Sequence, residues 1–381
     1  MQQKSFFKSL ILIGGILLFS SCSKDDGPGI IPMEFADLNY QKDYELTLGD
    51  TLSINPEILN LPEGTGFSWK LGDDKVSEAQ NLHYAPKQFG TFALQFKALA
   101  NNDSLLRSYE VTVNDPYQLY FRPKTENSSK YISEIIEYKP APGQYINKTY
   151  GSLESAEKLV GGKSAILSLG AWGGYVTFTF DHTIENREDA KDFVVYGNAM
   201  GGLSEPGIVK VSFDENGNGL PDDTWYELAG SAHQKEETIL NYQLTYTNPK
   251  EYANVPWEDN QENQDSVMVN PYHSQNYYPL FIEEKDKMSF NGTRVYPKVS
   301  LEGFASIDAL EWGYVDNFDA DYNTYAGNAM DLDWAVDDNM NPVALRGVDF
   351  ISVYTGAQGN VGWLGEISTE IKGASDLSMT E

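Results

Sequence analysis

Short runs in which apolar and polar residues alternate recur along nearly the whole chain, and turn residues separate them. The run VTFTFD at 176–181 alternates Val and Phe with Thr and Asp, and MDLDWAVD at 330–337 alternates Met, Leu, Trp and Val with Asp and Ala. A period of two predicts strands that bury one face. Gly, Pro, Asn and Asp between the runs predict tight connections. We therefore expect an all-β protein built from antiparallel sheets.

One segment, SLESAEKLV at 152–160, predicts a short helix. Ser152 is suited to cap its first turn, because a serine hydroxyl accepts a hydrogen bond from a free backbone N–H. Leu153, Ala156 and Val160 recur at the spacing of one helical face. This face is therefore expected to be buried.

The spacing of the strands predicts two bodies in a chain of 381 residues, a length sufficient for two or three domains of ordinary size. The first body, 34–115, has short alternating runs around Trp69 and Tyr84. Its pattern W…Y-x-P…G-T-F-x-L…V-T-V resembles PKD or immunoglobulin-like modules of bacterial surface proteins, which implies a sandwich with both residues in its core. The second body, 116–381, is richer in Gly, Trp and Asp. For it we expect a larger, jelly-roll-like sandwich that binds a ligand.

The N-terminal segment predicts export and a lipid anchor. Basic residues precede an apolar run too short to span a bilayer, so residues 1–21 are interpreted as a signal peptide. Cys22 is the only cysteine, which excludes an intramolecular disulfide. Its place after Ser21 resembles a lipoprotein signal, although Phe19 replaces the usual Leu. Residues 22–33 are then a tether that holds the chain at the outer membrane, on the cell surface; the alternative is a secreted protein with one buried thiol.

The acidic composition limits the classes of partner. A net charge of −29 and a pI near 4.4 repel nucleic acid and anionic membrane surfaces, and favour cations or neutral polar ligands. We therefore expect no nucleic-acid partner. Aromatic residues make up 13% of the chain, which suits both β-structure and stacking on flat ligands.

The stretch FDENGNGLPDDTWYE at 213–227 predicts a metal loop. Oxygen-bearing residues stand at alternate positions, an arrangement that wraps a hard cation such as Ca²⁺ in a structural role. The expected ligands are Asp214, Asn216, Asn218, the carbonyl of Leu220, Asp222 and Asp223. Position twelve is Trp225 and Glu227 comes two residues late, so no EF-hand is expected. The alternative is a hairpin loop in which Asn, Gly and Asp only satisfy turn geometry.

A second acidic concentration lies between Lys298 and Arg346, where no basic residue occurs. Such a run is usually a solvated face. Within it, DNFDAD at 316–321 has carboxylates at a spacing that suits a second cation. Both interpretations stay open.

Motifs of the recognisable catalytic classes are missing from the sequence. The four histidines are scattered, and no HExxH, GxSxG, Walker loop or dinucleotide fingerprint occurs. A pair of carboxylates for glycoside hydrolysis stays open, because the sequence does not give the distance between acids. A binding protein without catalytic residues is therefore the expected class, and not an enzyme.

Aromatic residues cluster with Gly or Pro in four segments, GAWGGY, HSQNYYP, EWGYVDN and NVGWLGE. Such segments are typical of loops, and loops on a rigid β-sandwich often carry binding sites. Each ring is also suited to the core, so that alternative stays open. The rings expected to stack on a sugar or another flat ligand are Trp172, Tyr175, Tyr277, Tyr278, Trp312, Tyr314 and Trp363.

Several runs carry a resemblance to a known group of proteins. EYKPAPGQYIN, GGYVTFTFDH, DFVVYGNA, EPGIVKVSFDENGNGLPDDTWYELAGS, HSQNYYPLF and WLGEISTEI resemble the C-terminal domain of Bacteroidetes cell-surface lipoproteins with a PKD-like first domain. CSKDDGPG, directly after the signal, resembles the surface-export signal of that group. Some such lipoproteins resemble vitamin-B12 capture proteins that work beside a TonB-dependent transporter. The resemblance thus implies a corrinoid (cobalamin) ligand and a transporter partner.

The resemblance implies no contact residue for a corrinoid. The D-x-H-x-x-G pattern of B12 enzymes is missing, since Asp181 and His182 are adjacent. Stacking and hydrogen bonds to the corrin rim would then provide the grip. Two alternatives are kept, a glycan-binding surface lipoprotein and a structural or protein-docking lipoprotein.

Overall fold

The chain divides into two compact units of β-structure. A computed structural model describes residues 31–36, 40–100 and 103–379. The boundary between the two units follows Val113. The predicted signal peptide, Cys22 and most of the predicted tether lie outside the described residues. Within the described ranges, none of the helices has the length and apolar character of a membrane-spanning segment.

The first unit consists of antiparallel sheets. Its strands are β1 (Glu34–Phe35), β2 (Asp43–Thr47), β3 (Leu52–Ile54), β4 (Ile58–Leu59), β5 (Gly66–Leu71), β6 (Asp74–Ser77), β7 (Leu82–Tyr84), β8 (Gly90–Ala100) and β9 (Asp103–Asn114). Five of them form the main sheet in the order β2-β9-β8-β5-β6, and β3-β7 and β1-β4 form two-stranded sheets. The PKD-like assignment of this unit stays a prediction.

Trp69 lies at the centre of the core of the first unit. It is fully buried on β5, and its indole N–H donates to the carbonyl of Ala79 at 3.0 Å. The rings of Phe96 and Tyr109 pack beside it, with centroids 4.7 and 5.8 Å from the indole. Tyr84 is half-buried against the same core. Since the chain contains one cysteine, packing of this kind holds the unit together without a disulfide.

The second unit contains most of the strands. They are β10 (Glu134–Lys139), β11 (Leu167–Ser168), β12 (Tyr175–Glu185), β13 (Phe193–Tyr196), β14 (Gly207–Ser212), β15 (Trp225–Leu228), β16 (Ile239–Thr247), β17 (Val255–Asp259), β18 (Gln264–Val267), β19 (Lys287–Arg294), β20 (Val299–Ser300), β21 (Ser306–Ile307), β22 (Asn328–Met330), β23 (Ala335–Val336), β24 (Gly347–Thr355), β25 (Glu370–Ile371) and β26 (Gly373–Asp376). Its short helices are α1 (Pro116–Tyr120), α2 (Leu153–Glu157) and α3 (Tyr322–Tyr325), with 3₁₀ turns at Leu332–Trp334 and Gly362–Leu364. The prediction of an all-β chain is confirmed.

A six-stranded antiparallel sheet in the order β10-β12-β24-β14-β15-β23 organises the second unit. One of its faces is apolar: Val176 pairs with Val353 and Val353 with Val209, and all three are fully buried. This face shares its core with Phe193 and Met330 of the sheet β22-β13-β26. The two sheets form a β-sandwich, and the non-consecutive neighbours β12 and β24 are typical of jelly-roll connections.

A four-stranded sheet, β18-β17-β16-β19, carries a second core built from large aromatic rings. Trp172 meets Tyr242 edge-on at 4.6 Å, and the hydroxyl of Tyr246 donates to the carbonyl of Trp172 at 2.8 Å. On β19, Phe290 meets Tyr175 of β12 edge-on at 6.3 Å. This contact brings the four-stranded sheet beside the second face of the six-stranded sheet.

The predicted helix forms, but its buried face differs from the prediction. Ser152 caps α2 by accepting a backbone N–H at 3.2 Å, as the sequence predicts. Ala156 and Leu159 are the buried apolar residues, whereas Leu153 and Val160 are exposed. The helix ends before Val160, so the face expected from an unbroken helical period does not form.

The run MDLDWAVD is not a continuous strand, contrary to the prediction. β22 ends at Met330, a 3₁₀ turn follows, and β23 begins at Ala335. The side chain of Asp331 accepts the backbone N–H of Asp333 at 3.0 Å, so Asp331 starts the turn. Aspartate side chains compete in this way with the hydrogen bonds of a strand.

His182 on β12 lies buried between two carboxylates. Its Nδ1 is 2.7 Å from Oδ1 of Asp181, and its Nε2 is 2.9 Å from Oδ2 of Asp376. Burial alone would lower the pKa of His182, but the hydrogen bonds and charges of Asp376 and Asp181 outweigh it and raise the pKa. The charged ring therefore links β12 to the end of β26.

Stability is expected to depend on pH through this contact. Because the pKa of His182 is raised, its contribution is complete below the unfolded value of about 6.5 and is lost as the pH rises through the higher folded value. His182→Gln is expected to lower the unfolding free energy by about 1.5–3 kcal/mol near pH 6 and by much less near pH 9. Urea unfolding at both pH values measures the difference, with His273→Gln as control. An equal loss at the two pH values would contradict this account.

Candidate functional site

The second face of the six-stranded sheet forms an open cleft. Residues paired across neighbouring strands place one side chain from each strand in a single row on this face. From β10 to β23 the row consists of Glu137, Thr177, Ser352, Lys210, Glu227 and Val336. Successive side chains of a strand point to opposite faces of the sheet. The residues that precede and follow each row residue on its own strand therefore point toward the apolar core. The alternation that builds the core therefore also builds a polar row.

Aromatic rings flank the polar row. Tyr175 and Trp225 line the cleft from the six-stranded sheet, and Phe290 lines it from β19. The cleft has a volume of about 430 Å³, and a recess of about 60 Å³ adjoins it at Lys210 and Trp225. Gly173 permits the close approach of β19: a Cβ there would lie 2.5 Å from the Phe290 side chain, and its φ is +88°.

Glu227 is held as a carboxylate in the recess that adjoins the cleft. His233 Nε2 donates to Oε1 at 2.9 Å, since the other ring nitrogen accepts the N–H of Gly230. The Tyr354 hydroxyl donates to Oε2 at 2.7 Å. Burial favours the neutral acid, but the hydrogen bond from His233 and the nearby charges, including Lys210, hold the pKa of Glu227 below its usual range. Each oxygen of Glu227 thus accepts a hydrogen bond, which holds the side chain in one orientation.

Tyr175 and Lys139 define one end of the cleft. Burial and a hydrogen bond to Glu137 raise the pKa of Tyr175, so its hydroxyl stays protonated. Lys139 pairs with Glu284, and its ammonium lies 5.7 Å from the ring centroid of Phe290. This end therefore offers a hydroxyl and an amine beside two aromatic rings.

The hairpin between β14 and β15 contains the predicted metal loop and borders the cleft through Pro221. The carboxylate of Asp214 accepts the backbone N–H of Asn218 at 3.1 Å and that of Gly219 at 2.9 Å. Gly219 has a φ of +73°, a conformation that favours glycine. Asp214 therefore closes the loop around its own backbone.

The amides of Asn216 and Asn218 lie among the other predicted ligands. Asn216 Nδ2 donates to Asp222 at 3.3 Å and to Asp223 at 3.0 Å, and Asn218 Nδ2 donates to both oxygens of Asp222 at 3.1 Å. Asn218 Oδ1 accepts the N–H of Leu220 at 2.7 Å. A half-turn of either amide would present an oxygen toward the carboxylates, as Ca²⁺ requires. All six predicted ligands thus lie in one hairpin, and calcium binding there stays a prediction.

Four of the predicted stacking residues lie in the core. Trp172, Tyr277, Tyr278 and Tyr314 are each at most 1% exposed. Their polar atoms serve the fold: the indole N–H of Trp172, for example, donates to the carbonyl of Thr293 at 3.3 Å. A ring without an exposed face cannot stack on a ligand, so the expectation for these four is corrected: they are core residues.

The other three predicted stacking residues are accessible but lie apart. Tyr175 lines the cleft. Trp312 is 42% exposed and its ring lies 4.9 Å from that of Trp334. Trp363 is 55% exposed and meets Phe304 edge-on at 5.2 Å. Neither Trp312 nor Trp363 is among the described residues that line the cleft.

Trp225 and the polar row are missing from the sites expected from the sequence. The alternation in TWYEL contained a signal for Trp225, because Trp225 and Glu227 share one face of β15 while Leu228 enters the core. The row itself depends on the register between strands that are distant in the chain. Sequence patterns do not specify that register, so the row was not predictable.

Comparisons with known proteins give only remote similarities. No protein-family profile and no curated protein matches the sequence. The SusE-like protein BT2857 shares 9% identity over 91% of this chain and 96% of its own, with a TM-score of 0.25. The Bacteroides ovatus mixed-linkage glucan utilization locus protein SGBP-B, solved with a mixed-linkage heptasaccharide, shares 12% identity over 87% of this chain and 100% of its own, with a TM-score of 0.18. Similarities this low carry no conclusion about function.

Removal of calcium is expected to lower the melting temperature of the chain. A cation that binds only the folded state stabilises it by about 2.7 kcal/mol at a hundredfold excess over Kd. Asp214→Ala should reproduce much of this effect in millimolar CaCl₂, and its cost should fall once EDTA has removed the ion. Thermal melts of both proteins in EDTA and in CaCl₂ measure the two effects.

Gly219→Val is the control for the hairpin itself. It should destabilise the chain with or without calcium, because valine is strained at a φ of +73°. Identical melting curves of the wild type in EDTA and in millimolar CaCl₂ would contradict the metal interpretation and leave a hydrogen-bonded turn.

Proposed function

We propose that this chain is a surface protein that binds a glycan along the cleft and does not act on it chemically. The observation that carries the proposal is the row of polar side chains that crosses five of the six strands, from Glu137 to Glu227, beside the aromatic residues of the cleft. A sugar ring has hydroxyls at its edge and apolar C–H groups on its faces. Sites that combine hydrogen-bonding side chains with aromatic faces therefore suit it.

The dimensions of the cleft support an extended ligand. Strands in a sheet lie 4.7–4.9 Å apart, so the five strands that carry polar residues of the row span about 19 Å. Along this distance the row offers a carboxylate, two hydroxyls, an ammonium and a second carboxylate. A chain of several sugar units can match such a series one group at a time.

The charges of the site favour a neutral ligand. The acidic groups of the row, Glu137 and Glu227, accept hydrogen bonds from the hydroxyls of Tyr175 and Tyr354. These hydrogen bonds fix the two carboxylates as acceptors. The net charge of −29 also disfavours an anionic ligand.

The corrinoid implied by the family resemblance is the alternative ligand. Stacking on a flat macrocycle requires exposed ring faces, and four of the seven rings expected to supply them are buried. The accessible rings Tyr175, Trp312 and Trp363 do not form one platform. The row of hydrogen-bonding side chains therefore supports a glycan better than a corrinoid. The TonB-dependent transporter expected as a partner would then take up the captured glycan.

A surface location is the second part of the proposal, and it rests on the signal sequence. Acyl chains on Cys22 would hold the chain at the outer membrane, with the acidic units facing outward. Cys22→Ser is expected to abolish incorporation of labelled palmitate and to release the protein from the membrane fraction. Unchanged labelling in this variant would contradict lipid attachment at Cys22.

Trp225→Ala is expected to weaken glycan binding. Loss of one stacked ring should reduce affinity about tenfold, which corresponds to about 1.4 kcal/mol. Retention of the full chain on polysaccharide arrays identifies a glycan, and titration calorimetry on that glycan measures the loss.

Trp312→Ala and Trp363→Ala are the matched controls, because both remove an accessible indole outside the cleft. Both should bind like the wild type. Absence of retention on every glycan, or equal affinity in Trp225→Ala and the wild type, would contradict the proposal. Heat on titration with cyanocobalamin at micromolar concentration would instead support the corrinoid.

A further inference from the structure

A second cavity, of about 290 Å³, shares no lining residue with the cleft. Its lining combines Tyr145, Tyr150 and Leu203 with the carboxyl groups of Glu205 and Glu370. None of the described residues that line it is basic. The lining itself therefore contains nothing that neutralises the two acids.

Asp316 joins these two acids to form a carboxyl cluster. One carboxylate oxygen from each of Glu205, Asp316 and Glu370 lies within 4.8 Å of the other two. Asp316 and Glu370 are buried, and Glu205 is half-buried. Burial raises the pKa of all three, and repulsion between the acids adds to this for Glu205 and Glu370. Three ionised carboxylates at this distance would be unstable without a counter-charge.

Backbone hydrogen bonds hold the carboxyl cluster together. The N–H of Glu205 donates to the carbonyl of Asp316, and the N–H of Glu370 donates to Asp316 Oδ2, both at 2.9 Å. The N–H of Ser368 donates to Glu205 Oε1 at 2.9 Å, and that of Asn198 donates to Asp316 Oδ1 at 2.9 Å. Hydrogen bonds thus connect the backbone segments that contain Glu205, Asp316 and Glu370. The fold itself imposes their proximity, since the side chains cannot simply turn away.

Glu366 adds a buried carboxyl group with a free oxygen. It is 3% exposed, and its Oε1 accepts the N–H of Gln144, a residue of the cavity lining, at 2.7 Å. Its Oε2 is buried and has no hydrogen-bond partner among the described residues. Its charge also raises the pKa of Glu205 and of Glu370. Buried oxygens of this kind are normally matched by a donor or a cation.

We propose that Glu205, Asp316 and Glu370 bind a hard divalent cation, and that Glu366 accepts a hydrogen bond from a water molecule on that cation. Three oxygens within 4.8 Å of one another suit a single ion at about 2.0–2.6 Å from each. A ligand set made only of oxygen favours Ca²⁺, Mg²⁺ or Mn²⁺ over metals that prefer nitrogen or sulfur.

The site differs from both cation loops predicted from the sequence. It contains Asp316 of DNFDAD, but its other ligands come from distant segments. Asp319 of that run instead accepts from Asn328 at 3.1 Å. Asp222 of the hairpin loop lies in a separate cluster of hydrogen bonds. Variants can therefore separate the proposed site from the hairpin.

Titration calorimetry of the full chain with CaCl₂, MgCl₂ and MnCl₂, after EDTA has been added and removed, tests the site. At least one cation is expected to bind. Glu370→Gln and Glu205→Gln should each weaken this binding at least tenfold, because each removes one charged ligand. Asp222→Asn reports on the predicted calcium loop in the hairpin, and Glu188→Gln, which changes an exposed acid outside both sites, is the matched control that should leave cation binding unchanged.

Thermal melts separate a ligand role from a purely structural one. In EDTA, Glu370→Gln should melt near the temperature of the wild type, because no cation is then present for Glu370 to bind. With the cation, it should fail to gain the stabilisation that the wild type gains. If Glu370→Gln does not fold, the same melts of Glu205→Gln, a substitution at a half-buried position, test the ligand role. Absence of binding by all three cations, binding lost only in Asp222→Asn, or equal binding in both glutamine variants and the wild type would overturn the proposal.

Discussion

The hydrogen-bonded register among β12, β24 and β14 determines both the core and the cleft of the second unit. With Val176 opposite Val353 and Val353 opposite Val209, three apolar side chains enter one core. The same pairing puts Ser352 beside Lys210 on the other face. A slip of one residue in any strand would exchange the two faces, burying polar groups and exposing valines. The apolar core therefore stabilises the very arrangement that a ligand would contact.

Buried polar side chains near this sheet are stabilised by hydrogen bonds and ion pairs with one another. Glu227 accepts from Tyr354 and His233, and His182 lies between Asp181 and Asp376. Because burial of an isolated charge is costly, such pairs keep acids ionised inside an acidic protein. The carboxyl cluster of Glu205, Asp316 and Glu370 lacks a basic residue in its cavity lining. The acids of this cluster therefore differ from Glu227 and Asp376, which have a histidine partner. In the proposed site, the bound cation takes the place of such a partner.

Local patterns in the sequence predicted the local structure well. Alternation predicted the all-β fold, which is confirmed, and Ser152 caps α2 as expected. Turn residues around Gly219 placed the Asp/Asn loop in a hairpin between two strands. Each of these features depends on neighbours in the chain, so propensity and spacing are sufficient to find it.

Features that depend on distant segments were not predictable. Trp172 and Tyr314 have Gly-rich neighbours typical of loops, yet tertiary packing buries both. MDLDWAVD alternates like a strand, but Asp331 bonds to the backbone and starts a 3₁₀ turn. The polar row and the carboxyl cluster combine residues from strands far apart in sequence. Their formation depends on register and topology, which a single sequence does not specify.

A crystal structure of the chain with an oligosaccharide retained on the arrays would show where a glycan binds. We expect sugar rings along the cleft, with one ring over Trp225 and its hydroxyls within hydrogen-bond distance of Lys210 or Ser352. An oligosaccharide bound at Trp363 or Trp312, with the cleft unoccupied, would contradict glycan binding in the cleft.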